Sequence, residues 1–123
     1  MAIDRSRSDN QLTGTLATLL DPSTFTTLLD VDARGLIEKT FVIENTGGSN
    51  GATVRIQGSV DGGANFDEDI QAATNIAAGA KLVVKTSDYY TDIKVEAHKQ
   101  TIALDTSVDC RFAGRRNENA PLG

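Results

Sequence analysis

The chain has 123 residues, 39% of them hydrophobic and 24% charged, which suits one folded domain and excludes a disordered or membrane-embedded class for the chain as a whole. Twelve Lys plus Arg stand against 17 Asp plus Glu, and the resulting net charge of -5 repels a phosphate backbone, so nucleic acid is not an expected partner. A lone Cys110 excludes an internal disulfide, and no stretch approaches the roughly 18 apolar residues of a membrane span, so folding in a reducing cytoplasm is the expectation.

In chain order, residues 1–11 are polar and show no burial pattern, which predicts an extended arm. Weak strand signals follow at Leu12 to Leu20 and at Thr24 to Val31, where Phe25, Leu28 and Leu29 are the apolar residues. The turn Asp32-Ala33-Arg34-Gly35 leads into a strand across Leu36 to Asn45, with Ile37, Phe41 and Ile43 as its inward residues. After the glycine-rich loop Asn45 to Gly51, Val54, Ile56, Gly58 and Val60 alternate with polar neighbours, the period-two pattern of a half-buried strand.

The Ala-rich run Gln71 to Ala80 competes as a helix, but Thr74, Asn75 and Gly79 leave it too short. Leu82 to Thr86 reads as a strand. In the next one, Tyr89, Thr91, Ile93, Val95 and Ala97 share one face, opposite Tyr90, Asp92, Lys94, Glu96 and His98. Val108, Cys110 and Phe112 mark a last strand before a polar tail at residues 114–123. Short strands with one apolar face each and no intervening helices require a second sheet to cover that face. The expectation is an all-β, antiparallel β-sandwich of about seven to eight strands, jelly-roll or immunoglobulin-like, at residues 12–113 between the two arms.

Catalytic chemistry finds few side chains to run on. His98 is the only histidine and falls on the solvent side of its strand, while Cys110 falls on the inward side, where a thiol acts as a small hydrophobe with a raised pKa. One Cys and one His cannot build a tetrahedral zinc site. The glycines of Gly47-Gly48-Ser49-Asn50-Gly51 lack phosphate-loop spacing. No enzyme, cofactor or small-molecule ligand is therefore expected.

The segment Ser59-Val60-Asp61-Gly62-Gly63-Ala64-Asn65-Phe66 fits the S-x-D-x-G-x-x-[F/W] pattern of an Asp-box, a hairpin turn in which the aspartate accepts turn amides and the aromatic anchors the returning strand. Asp61, Asn65, Asp67, Glu68 and Asp69 also gather hard oxygen donors of the type calcium takes, with Asp61, Asn65, Asp67 and Asp69 the ligand candidates. Their spacing is not that of an EF-hand, and a solvated acidic turn is the preferred reading.

The polar arm, Val42-Ile43-Glu44-Asn45-Thr46-Gly47, the run Val54 to Gly63, Tyr90 to Ala97 and Ala113-Gly114-Arg115-Arg116 together resemble the small β-sandwich virion proteins of tailed bacteriophages. The resemblance spans about residues 24 to 116 and lies in strand-and-turn patterns, with no chemically diagnostic residue. It implies a decoration or cement protein on the capsid exterior, bound to the major capsid protein and to copies of itself as a homotrimer. Arg5, Arg7, Arg115 and Arg116 would then be interface residues, against the alternative that they only solubilise the arms. A tail- or fibre-associated β-domain and a carbohydrate-binding module are the other readings. The second is weakened by the absence of Trp and the presence of only two Tyr.

Overall fold

A computed structural model of the chain describes residues 10–19, 21–48, 50–100 and 105–116. Its eight strands are β1 (Asn10–Leu19), β2 (Thr26–Asp32), β3 (Leu36–Asn45), β4 (Ala52–Ser59), β5 (Glu68–Ile76), β6 (Lys81–Thr86), β7 (Asp92–Lys99) and β8 (Thr106–Arg116). They form two four-stranded sheets in the orders β1-β8-β3-β6 and β2-β7-β4-β5. Antiparallel pairs β1–β8, β2–β7, β3–β6 and β4–β5 are nested within one another, as if one long hairpin had been rolled up, and β3–β8 and β4–β7 close the sheets. This is jelly-roll order, which decides between the two sandwich types that the strand pattern admits.

Alternation creates the core. Phe41 and Ile43 of β3, Val108, Cys110 and Phe112 of β8, Val54 and Ile56 of β4, and Ile93, Val95 and Ala97 of β7 are all buried between the sheets. The Phe41 and Phe112 rings meet at 4.9 Å, tilted at 39°. Aliphatic side chains supply the remainder of the contact between layers.

The strand phases are corrected in three places. A bulge where β3 pairs with β8, between Leu36 and Glu38, reverses the phase there, so Leu36 is buried and Ile37 only half-buried. Gln71 to Ala80 is not a helix, as its residues indicate, but its first part lies within β5, a strand absent from the sequence reading; it pairs with β4, and register shifts around Ile56 leave both Ala72 and Ala73 exposed. Strand β7 starts at Asp92, so Tyr89 is 63% exposed while Tyr90 packs partly against the core. The edges of the sandwich also move outward, because Asn10 pairs with Arg115 and Gln11 with Gly114, placing residues expected in the arms within the β1–β8 ladder.

Antiparallel order gives the sandwich two ends. Loops β1–β2, β3–β4, β5–β6 and β7–β8 gather at one; loops β2–β3, β4–β5 and β6–β7 gather at the other, together with Asn10 and Arg116.

Candidate partner-binding end of the sandwich

The end that carries Asn10 and Arg116 is organised by the turn after β4. Asp61 uses both carboxylate oxygens: Oδ1 accepts the Asn65 amide at 3.0 Å and lies 2.7 Å from the Ser59 hydroxyl, and Oδ2 accepts Asn65 Nδ2 at 2.7 Å. Ser59 Oγ in turn accepts the Gly63 amide at 3.0 Å. Gly62 and Gly63 take φ of 76° and 91°, a region closed to most side chains. Thr91 ties this turn to the β6–β7 loop, accepting the Gly62 amide at 2.9 Å and donating its own hydroxyl to Ser59 O at 3.0 Å. Bonds from Asn65 and Ser59 hold the Asp61 carboxyl down from 3.8 to about 2.

The expected Asp-box is therefore a turn, as its residues indicate. The calcium candidates do not converge: Asn65 turns its amide nitrogen to Asp61, and Asp69 on β5 accepts Gln57 Nε2 at 3.2 Å. Among the described residues no group of three or more His, Cys, Asp or Glu is placed to hold a metal ion.

Of the four arginines expected at an interface, Arg5 and Arg7 lie outside the described residues. Arg115 and Arg116 do not act as a pair. Arg115 grips Glu38 across the β3–β8 ladder, with Nε 2.7 Å from Oε1 and Nη2 on the same oxygen. Arg116 is exposed at the end of β8, beside Gly35. Tyr90 lies over Gly58, where an added Cβ would stand 2.4 Å from the ring, so the glycine makes room for it. Val60, 59% exposed, and Tyr89 give the same end an apolar character among its polar loops.

Lys39, unremarked in the strand pattern although it shares the parity of Phe41 and Ile43, is only 1% exposed and points inward at this end. Its ammonium donates to Asp88 O at 2.6 Å and to Leu36 O at 3.1 Å, tying the start of β3 to the β6–β7 loop. Burial pushes its pKa down, opposed by the charge of Asp88. An open cleft of about 250 Å³ lies alongside, lined by Glu38, Lys39, Thr40, Lys85, Thr86 and Ser87.

The opposite end is closed by Asn45, fully buried on β3. Its Nδ2 donates to Asn50 O at 2.8 Å and Ile76 O at 3.1 Å, and its Oδ1 accepts the Gly47 amide at 3.0 Å and the Thr106 hydroxyl at 2.6 Å. One side chain thus satisfies two positions of the β3–β4 loop and the ends of β5 and β8.

On the outer face of the β2-β7-β4-β5 sheet, Arg55 stacks 3.9 Å over Phe25 and binds Glu96 at 2.9 Å. His98 lies on this outer face, as its strand phase indicates, but half-buried, edge-on to the same ring at 4.7 Å and with its Nδ1 donating to Lys99 O at 2.8 Å. Glu96 is only 5% exposed because Lys94, at 3.4 Å, covers it from the other side. Cys110 is buried in the other sheet, its thiol pushed up to about 12 by burial, so His98 and Cys110 are not brought together. The Phe25–Arg55–Glu96 group was not legible in the sequence, since its members come from three separate segments.

No protein-family profile matches the chain, and no curated protein is significantly similar to it in sequence. Similarity to solved structures lies in the architecture. The structure described as PirA aligns with a TM-score of 0.57 at 11% identity, over 83% of this chain and 93% of that one. A mitogen derived from Yersinia pseudotuberculosis aligns at 0.57 with 13% identity over 92% of both chains. A Bacillus endospore appendage protein, from a family of disulfide-linked pili, reaches 0.50 at 8% identity over 88% and 89%. At these identities the likeness shows the fold alone. Jelly rolls serve as viral capsid domains, lectins and cupins, so the fold admits a structural virion role without selecting it.

Proposed function

We propose that this protein is a structural component of a tailed-phage virion, a decoration protein that binds the exterior of the head and fastens neighbouring copies of the major capsid protein. One observation carries this reading: the pairing of Asn10 with Arg115 brings the chain into and out of the sandwich at the same end, where Val60, Tyr89 and Arg116 are exposed. Residues 1–9 and 117–123, with Arg5 and Arg7 among them, therefore start from one surface and can engage one partner surface together. Two tethered contacts on one body gain affinity from effective concentration, which suits a protein that must hold several subunits at once. The acidic body, with its net charge of -5, suits the outer face of a head better than its DNA-lined interior.

The test is to add the purified full chain to heads that lack it and to locate it by cryo-electron microscopy. Density on the head exterior with the Asp61 turn toward the shell supports the proposal. Density only on the tail would move the protein to the fibre-associated reading, and no association with any virion part would overturn both.

A further inference from the structure

The four sheet edges are not alike. Edge strand β6 carries Lys81 and Lys85, β5 carries Glu68 and Asp69 and pairs through irregular register, and β2 carries Asp30 and Asp32 with a bulge after Thr27. Charges and bulges are how sheets discourage edge-to-edge pairing. Strand β1, Asn-Gln-Leu-Thr-Gly-Thr-Leu-Ala-Thr-Leu, contains no charged residue and no proline, and its ten pairs with β8 run without a bulge. Among the described residues β1 pairs with β8 alone, which leaves its other edge open over ten residues. Its outward row includes Leu16, 68% exposed, and, two positions away, the bare backbone of Gly14.

We infer that β1 is an interface for a second copy of this chain, pairing antiparallel with β1 of that copy about a two-fold axis through Thr15 and joining two four-stranded sheets into one of eight. The occupant is a second copy because the strand complements itself. Directly opposed residues in an antiparallel pair share a face, so a two-fold on Thr15 sets each Leu16 against Gly14 of the other copy. The exposed leucine then lies over the one outward position that has no side chain, and both halves of the interface gain the same contact. The same register aligns residues 11–19 of both copies, nearly the full length of β1. This assembly is two-fold, in place of the trimer that the family resemblance implies, and it does not depend on a capsid partner.

Sedimentation equilibrium on the full chain tests it, with a species of twice the 13.0 kDa protomer mass expected. Leu16→Lys places a charge at an exposed position on the seam, so the fold survives while the dimer dissociation constant rises roughly tenfold or more. Thr15→Cys gives the register: on oxidation it cross-links across the axis, whereas Thr18→Cys does not. Because Thr15 is paired with Cys110 in the β1–β8 ladder, both cysteine variants are made on a Cys110→Ala background, which leaves the introduced cysteine as the only thiol of each copy. A monomeric or trimeric wild type, a dimer indifferent to Leu16→Lys, or cross-linking at position 18 and not at 15 would overturn the inference.

Discussion

The two ends of this sandwich are built on opposite plans. At one, a single buried amide, Asn45, receives and returns hydrogen bonds from loops that would otherwise leave their polar backbone without partners, and the end is sealed from within. At the other, the Asp61 turn satisfies itself locally and faces solvent, Lys39 reaches up from the core to hold two carbonyls, and Val60, Tyr89 and Arg116 stand exposed. The first arrangement closes its end of the sandwich from within. The second fixes its loops equally well but keeps its outer side chains available, and it is the end at which the chain enters and leaves.

Substitutions should separate the two plans. The largest effect is expected for Asn45→Ala, which leaves several buried groups without partners at once. A loss of about 3 kcal/mol or more in urea unfolding is expected, and a loss under about 1 kcal/mol would show that the sealed end does not depend on this amide. Gly58→Ala at the other end pushes a methyl into the Tyr90 ring, which stands 2.4 Å from the added carbon, and about 1–3 kcal/mol should be lost as the tyrosine is displaced. Near-UV circular dichroism would report that displacement.

Asp61→Asn is a smaller change and concerns acid stability. A carboxyl whose folded pKa is depressed stabilises the fold above its ordinary value of 3.8, and that contribution is lost as pH falls through about 2. The wild type should weaken over this window and the variant should show a flatter profile there; identical profiles would mean that the turn does not prefer the ionised form. Arg116→Ala should move stability by no more than about 0.5 kcal/mol, since the side chain is exposed, while weakening association with heads. Arg115→Ala is a poorer probe, because it also removes the Glu38 contact within the fold.

Part of this could be read directly from residue order. The limits of β3, Leu36–Asn45, follow from the turn before it and the loop after it, and the inward set Val54, Ile56, Ile93, Val95, Val108, Cys110 and Phe112 follows from alternation alone. The Asp-box was legible because its hydrogen bonds span at most four residues. By contrast, β5 escaped because an edge strand needs no clean alternation, and Ile37 changed places with Leu36 because a bulge is a property of two strands, not one.

What the sequence determined on its own is the class of fold and its inward face, because side-chain alternation and turn chemistry act over a few neighbouring residues. Only the tertiary structure decided that the strands nest in jelly-roll order, that Lys39 and Asn45 lie at opposite ends of the sandwich, that Arg115 pairs with Glu38 on the exposed face while Arg116 stands apart from that pair, and that among the described residues β1 has an unpaired, uncharged edge. Each of these depends on contacts between residues far apart in the chain. Their geometry exists only once the two sheets have closed on each other.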